Sequence, residues 1–331
     1  MSQSRTVASA LALLATACAC PLPPEPRPPP PVTSSPSPPA PVTVTATEDG
    51  VPKPVMRQEN YRIEAGAYAL EVSPSTGANI VEFSLDGRNV LASREDSPNA
   101  FGSTFYPSPQ SDWQWPPPPE WDALPWTVAV HGRRLDLKSR AIEKTGLGAT
   151  QSISLDGAKG AARIDYRIIN HGSTPHRVAP WQNTRVRPKG LTFFPCSRPV
   201  LPQSSLKLEP NDGVIWFQHD PADFAESKKL FADGNEGWLA QVDGDLMFVK
   251  VFPDVPPEQQ APGEAEIEIY VDRAGRFVEV EQQGPYVEYG DGHSSTWTVQ
   301  WVVRKLPSDI HALPERKGLV SFARELAASV R

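Results

Sequence analysis

Asp-Gly pairs at 86–87, 156–157, 212–213, 233–234, 243–244 and 291–292 constrain this chain more than any other feature. Both residues tolerate positive φ, so the pair suits the tight turn that reverses an antiparallel strand pair. Several pairs sit between alternating segments. "ANIVEFSL-DG-RNVL" (78–91) and "GWLAQV-DG-DLMFVKVF" (237–252) read as hairpins, and "ATQSISL-DG-AKGAARIDYRII" (149–169) as a third with a longer turn. Further strands are predicted at 127–131, 213–218, 265–272, 276–282 and 295–306. Strands this dense, with no helical pattern between them, predict an all-β fold: a large antiparallel β-sandwich over residues 59–307. The one helical pattern is terminal, within 308–331, where Leu319, Phe322, Ala323, Leu326, Ala327 and Val330 make a single apolar stripe. No tandem repeat and no second domain boundary are visible.

Alternation also assigns strand faces. In 265–272, Ile267, Ile269 and Val271 point one way, and Glu266, Glu268, Tyr270 and Asp272 the other. In 276–282, Val278 and Val280 oppose Phe277, Glu279 and Glu281. In 245–252, Leu246, Phe248, Lys250 and Phe252 share a face. Two neighbouring strands with acidic faces give either a binding floor or an ordinary solvated sheet surface.

Ahead of the domain, residues 1–17 carry Arg5 and then a short apolar run, which reads as a secretory signal peptide. "LLATAC" resembles a lipobox, making Cys18 the expected lipidation site, with Cys20 a second candidate. Residues 21–41 hold twelve prolines, so 18–58 reads as an anchored, disordered, proline-rich linker that lifts the domain off a membrane. The protein is therefore expected to be an exported lipoprotein, on the outer membrane or its periplasmic face. Net charge is −7 with both signs interspersed, so no nucleic-acid partner is expected. The domain's lone Cys196 reads as a buried bystander. No Cys/His pattern matches a zinc site, and the acidic turn "DGNEG" (233–237) lacks calcium-loop spacing. Neither a metal nor another cofactor is expected.

The order of features resembles galactose mutarotase-like (aldose 1-epimerase-like) domains. "LEVSPSTGANIVEFSLDGRNVL" (70–91) is similar to their opening hairpin. "FGSTFYPSPQ" (101–110) sits where relatives carry a Gly-rich segment ending in a Pro-Gln-type loop. "RIINHGSTPHRVAPW" (167–181) is similar to the strand–turn–strand leading to their catalytic histidine, and "VEVEQQGPYVEYGDGHSSTWTVQWVVRKL" (278–306) to their final strands. The resemblance covers about 60–306 and, at the Trp-Pro loop, "PWQNTRV" and "GPY", is nearest an uncharacterised bacterial branch. It implies the supersandwich version of the fold, a sugar ligand, and Glu281 as the base of anomer interconversion. The acid histidine it implies is missing, because Pro180 and Trp181 stand at that place while His171 and His176 read as turn residues. Arg185 is the nearest strong donor, but guanidinium is a poor acid.

Sugar recognition calls for aromatic faces beside convergent polar groups. Gln110, Trp113, Trp115, Trp181, Asn183 and Lys250 are the binding candidates, with Glu281 and Arg185 as the catalytic ones. In "SDWQWPPPPEWDALPW" (111–126) the prolines rule out a regular strand, so Trp113 and Trp115 are expected at a cleft rim, and Trp121 and Trp126 in the core. Trp297 and Trp301 are assigned to the core face, and Trp216 stays open. A carbohydrate-binding envelope lipoprotein of doubtful catalysis is the leading expectation. Alternatives are an epimerase with a rearranged acid and a non-catalytic scaffold.

Overall fold

In a computed structural model describing residues 53–220 and 225–331, both residues of Asp86-Gly87 and of Asp212-Gly213 take positive φ. This is the conformation a type I′ turn needs and the reason the pair reads as a turn. The signal segment, Cys18 and most of the linker lie outside the described residues. The chain runs through β1 (Val55–Arg57), β2 (Asn60–Ala65), β3 (Tyr68–Ser73), β4 (Asn79–Leu85), β5 (Arg88–Asn89) and β6 (Ser103–Ser108). A short helix, α1 (Pro119–Asp122), precedes β7 (Thr127–His131), β8 (Arg134–Lys138), β9 (Leu147–Asp156), β10 (Ala161–Asn170), β11 (His176–Val186) and β12 (Leu191–Pro195). Then come β13 (Val214–Gln218), β14 (Lys228–Ala232), β15 (Trp238–Asp243), β16 (Leu246–Val251), β17 (Ile267–Val271) and β18 (Val278–Gln283). The chain ends with β19 (Val287–Tyr289), β20 (Ser294–Lys305) and α2 (Lys317–Ala328).

Two antiparallel sheets form the sandwich. The first runs β1-β2-β3-β4-β6-β11-β18-β17-β14, with β5 and β19 attached, and the second β13-β12-β15-β16-β20-β10-β9-β8-β7. The predicted hairpins are β9–β10 and β15–β16, joined across 156–157 and 243–244. Asp86-Gly87 joins β4 only to the two-residue β5, and Asp233-Gly234 reverses no strand pair. Val55–Arg57, read from sequence as linker, pairs with β2 instead.

The main core lies between the sheets and includes Phe83, Phe105, Tyr166, Phe248, Trp297 and Trp301. Both tryptophans assigned to the core are thus there. Trp121 is fully buried and stacks on Phe105 with centroids 5.4 Å apart; Trp126 is also buried and donates its indole N–H to the Glu120 carbonyl. Cys196 is buried with no disulfide. A second apolar cluster lies on the outer face of the second sheet, where α2 places Leu319, Val320, Ala323 and Leu326 over Phe193, Ala240 and Val249. Trp216, half-buried, joins that layer by stacking on Phe193.

A polar seam crosses the main core. Gln182 donates to the Tyr166 hydroxyl at 2.6 Å and accepts from Gln282 at 2.6 Å and from the Trp301 indole at 3.1 Å. Because these neighbours on β11 and β18 point inward, the residues alternating with them point outward. That fixes which side chains can form a site.

Candidate functional site

The outward residues of five adjacent strands make one continuous face. β6 contributes Thr104, Tyr106 and Ser108, and β11 contributes Trp181, Asn183 and Arg185 in register with them. The β11–β18 register pairs Trp181 with Gln283, Gln182 with Gln282 and Arg185 with Glu279, so Asn183 stands opposite Glu281. Beyond them, Glu268 lies opposite Glu281, Tyr270 opposite Glu279, and Lys229 and Phe231 opposite Tyr270 and Glu268. The acidic faces expected for the two strands therefore adjoin, but they are closed rather than solvated. Glu268 and Glu281 have no exposed surface, and Trp181, Asn183 and Arg185 are 3 % exposed.

Two loops close the face. The Trp113 indole donates to the Pro107 carbonyl at 2.7 Å and sits 6.3 Å from the Trp181 ring and 6.0 Å from Tyr106. The Tyr106 hydroxyl reaches Asp122 of α1 at 2.7 Å. The Gln110 backbone N–H donates to Glu264 at 2.8 Å, tying the Trp-Pro loop to the segment before β17. Trp115, by contrast, is 62 % exposed at the tip of its loop.

Lys229 organises the charges. Its Nζ lies 2.6 Å from Glu268 Oε2, 3.9 Å from Glu281 Oε2, and 5.0 Å over the Trp181 ring. Burial would lower this ammonium's pKa, but the two carboxyls more than offset that and raise it. Burial pushes Glu268 up to about 7, with Lys229 opposing the rise. Burial holds Glu281 well above the usual carboxylate range, against Lys229 and helped by Glu279 and Glu268. One cation facing two buried carboxyls favours the neutral form of Glu281, the more distant one. Its Oε2 accepts the Trp181 indole N–H at 2.7 Å, while its Oε1 and the Asn183 Oδ1 have no hydrogen-bond partner among the described residues.

Arg185 is committed within the face. Its Nε donates to Glu279 at 3.0 Å and another guanidinium nitrogen to Thr104 at 3.1 Å. Burial would lower its pKa, but Glu279 and Tyr106 more than offset this, so it stays charged. Lys250 lies elsewhere. It shares its strand face with Leu246 and Phe248, as alternation required, and that face is the inter-sheet core. Its Nζ donates to the Thr184 hydroxyl and the Val280 carbonyl, each at 2.7 Å. Burial drives its pKa down, toward the neutral amine, and both of its bonds stay within the core. Lys250 therefore presents nothing to a ligand on the outer face. Sequence reasoning missed Lys229, whose segment "KKLFA" alternates over only five residues, and the covering role of Glu264.

A family model described as "Domain of unknown function (DUF4380)" matches residues 106–304, from the face's Tyr106 to the last strand. The chain belongs to this family. No curated protein matches it. Solved structures show the fold of the DUF4380 domain. The Slr1438 protein of Synechocystis sp. PCC 6803 is 17 % identical, with a TM-score of 0.56 over 76 % of this chain and 97 % of that one. A galactose mutarotase-like protein from Lactobacillus casei is 10 % identical, with a TM-score of 0.55 over 74 % of this chain and 100 % of that one. A galactose mutarotase-like protein from Clostridium acetobutylicum is 11 % identical, with a TM-score of 0.51 over 75 % and 95 %. The DUF4380 domain is thus a galactose mutarotase-like sandwich. At these identities the likeness carries the fold and not the chemistry.

The site candidates divide accordingly. The face brings together Glu281, Arg185, Trp181 and Asn183, covered by Trp113 and the Gln110 backbone. It excludes Lys250 and leaves Trp115 in solvent. Among the described residues no His/Cys/Asp/Glu group could hold a metal ion.

Proposed function

We propose that the domain binds a carbohydrate on the face around Glu281 without interconverting its anomers. The observation carrying this reading is the pair of partnerless polar atoms, Glu281 Oε1 and Asn183 Oδ1, on facing positions of adjacent strands. A buried polar atom without a partner costs about 1–3 kcal/mol, a cost that a ligand hydroxyl removes by donating to the Asn183 oxygen and accepting from the Glu281 carboxyl. Trp181 and Trp113 beside the pair supply apolar faces for a sugar ring. Entry opens the contact between Gln110 and Glu264 that closes the face, while Trp113 keeps its bond to Pro107 and stays beside the pair. Catalysis is not part of the reading, since burial disfavours the ionised form that the expected base needs, and the donor bonded to it is an indole, which does not release its proton. A glycan array followed by calorimetry tests it: wild type binds a defined saccharide, and Asn183→Ala weakens that binding at least tenfold. Silence across the array, or an unchanged affinity in Asn183→Ala, removes the reading.

The same reading places the domain on a membrane through Cys18. It rests on the signal-like residues 1–17, the lipobox-like "LLATAC" and the proline-rich spacer. Labelling cells with an alkyne-tagged fatty acid is expected to mark the full chain and not Cys18→Ser. Equal labelling of both would move the anchor to Cys20, and no labelling would leave an ordinary secreted protein.

A further inference from the structure

A cavity of about 790 Å³ opens beside the closed face, and none of the roles above uses it. It lies between the Trp-Pro loop, the segment entering β9 and the turn before β11. The Trp113 ring and the proline run 116–119 form one wall, and Tyr286 stands in the lining with Arg177 stacked 4.7 Å over its ring. Ile142 and Leu147 supply apolar floor. These are flat, stiff surfaces with few rotamers to freeze on binding. Charges at the cavity nearly cancel, with Asp112, Glu120 and Glu143 against Lys144 and Arg177. That balance favours a neutral ligand with both donors and acceptors over an anion or a cation.

The cavity and the closed face share structure. Trp113 lines the cavity and packs on Trp181 of the face. Ser108 also lines the cavity and donates to Gln283 at 2.5 Å; Gln283 donates to Glu268 at 2.9 Å, and Glu268 holds Lys229. A hydrogen-bonded chain thus runs from the cavity wall to the residue that faces Glu281.

We propose that the ligand is an oligosaccharide chain, with one sugar ring at the Asn183–Glu281 pair and the following rings in the cavity against Trp113, the proline run and Tyr286. This rests on the carbohydrate reading above and adds the chain length. Cavity volume, neutral rim and flat walls suit successive pyranose rings, which alternate apolar faces with hydroxyl edges.

The test compares the saccharide series bound best on the array, from one to six units, by calorimetry with the full domain. In wild type, affinity is expected to rise at least tenfold between one and three units. Tyr286→Ala is expected to lose that gain and keep the single-unit affinity. Glu143→Trp, which changes an exposed side chain and fills the cavity from its rim, is expected to do the same, so the test survives if Tyr286→Ala folds poorly. Single-unit binding with no gain from length overturns the chain proposal and leaves the carbohydrate reading standing. Silence across the array overturns both. A cavity that takes a proline-rich peptide in place of any oligosaccharide also overturns the chain proposal.

Discussion

Lys229→Met is expected to leave the domain about as stable as wild type at pH 4 and about 1.4 kcal/mol less stable at pH 8. The reason is the charge arrangement beneath Trp181. In wild type near pH 8, Lys229 and Glu268 form a buried pair 2.6 Å apart. Removing the cation strands a carboxylate with no exposed surface, which must then be protonated against the solvent. With a pKa of about 7, Glu268 is ionised in folded wild type only above that pH, and the one unit from there to pH 8 is about 1.4 kcal/mol. At pH 4 Glu268 is neutral in both proteins, because its pKa is raised to about 7, and the ammonium then stabilises little. Urea unfolding at the two pH values reads the difference. An equal loss at both would mean that the lysine stem contributes packing and its charge nothing.

Much of this arrangement was legible in the sequence, and the illegible part has specific causes. Alternation placed Glu268, Glu279 and Glu281 on one side of their strands, and it placed Lys250 with Leu246 and Phe248. Both assignments follow from a backbone period of two, which burial does not disturb. What alternation cannot state is whether a polar face is wet. Here the face is covered by loops 107–118 and 261–266, whose positions depend on contacts between residues far apart in sequence, such as Gln110 with Glu264. Lys250 misleads for the opposite reason. A lysine in an apolar strand invites a ligand role, yet burial disfavours its charge and its amine bonds to Thr184 and Val280 across the core. The split of the Trp-Pro stretch was readable in its second half, where Trp121 and Trp126 pack. In the first half the two tryptophans part, with Trp113 folded over the face and Trp115 in solvent.

Glu281→Gln is expected to move stability in the direction opposite to Lys229→Met. Burial raises the Glu281 pKa well above the value of about 4.3 that a carboxyl has in the unfolded chain. Between those two values the folded state binds the extra proton, so its stability is highest below the unfolded pKa and falls as pH rises. One such group sets a slope of about 1.4 kcal/mol per pH unit, and the decline stops only at the folded pKa. An amide is isosteric with the neutral acid and still accepts the Trp181 indole N–H through its oxygen. The variant should therefore match wild type near pH 4 and exceed it progressively toward pH 8, measured by urea unfolding across that range. Polarimetry on α-glucose and α-galactose separates this from a catalytic role. A base must be ionised at working pH, and no histidine faces Glu281, whose described partners are Trp181 and Lys229. Neither wild type nor Glu281→Gln should speed anomer interconversion. A stabilised variant that loses a measurable wild-type rate would instead make Glu281 a base whose proton is released when ligand enters.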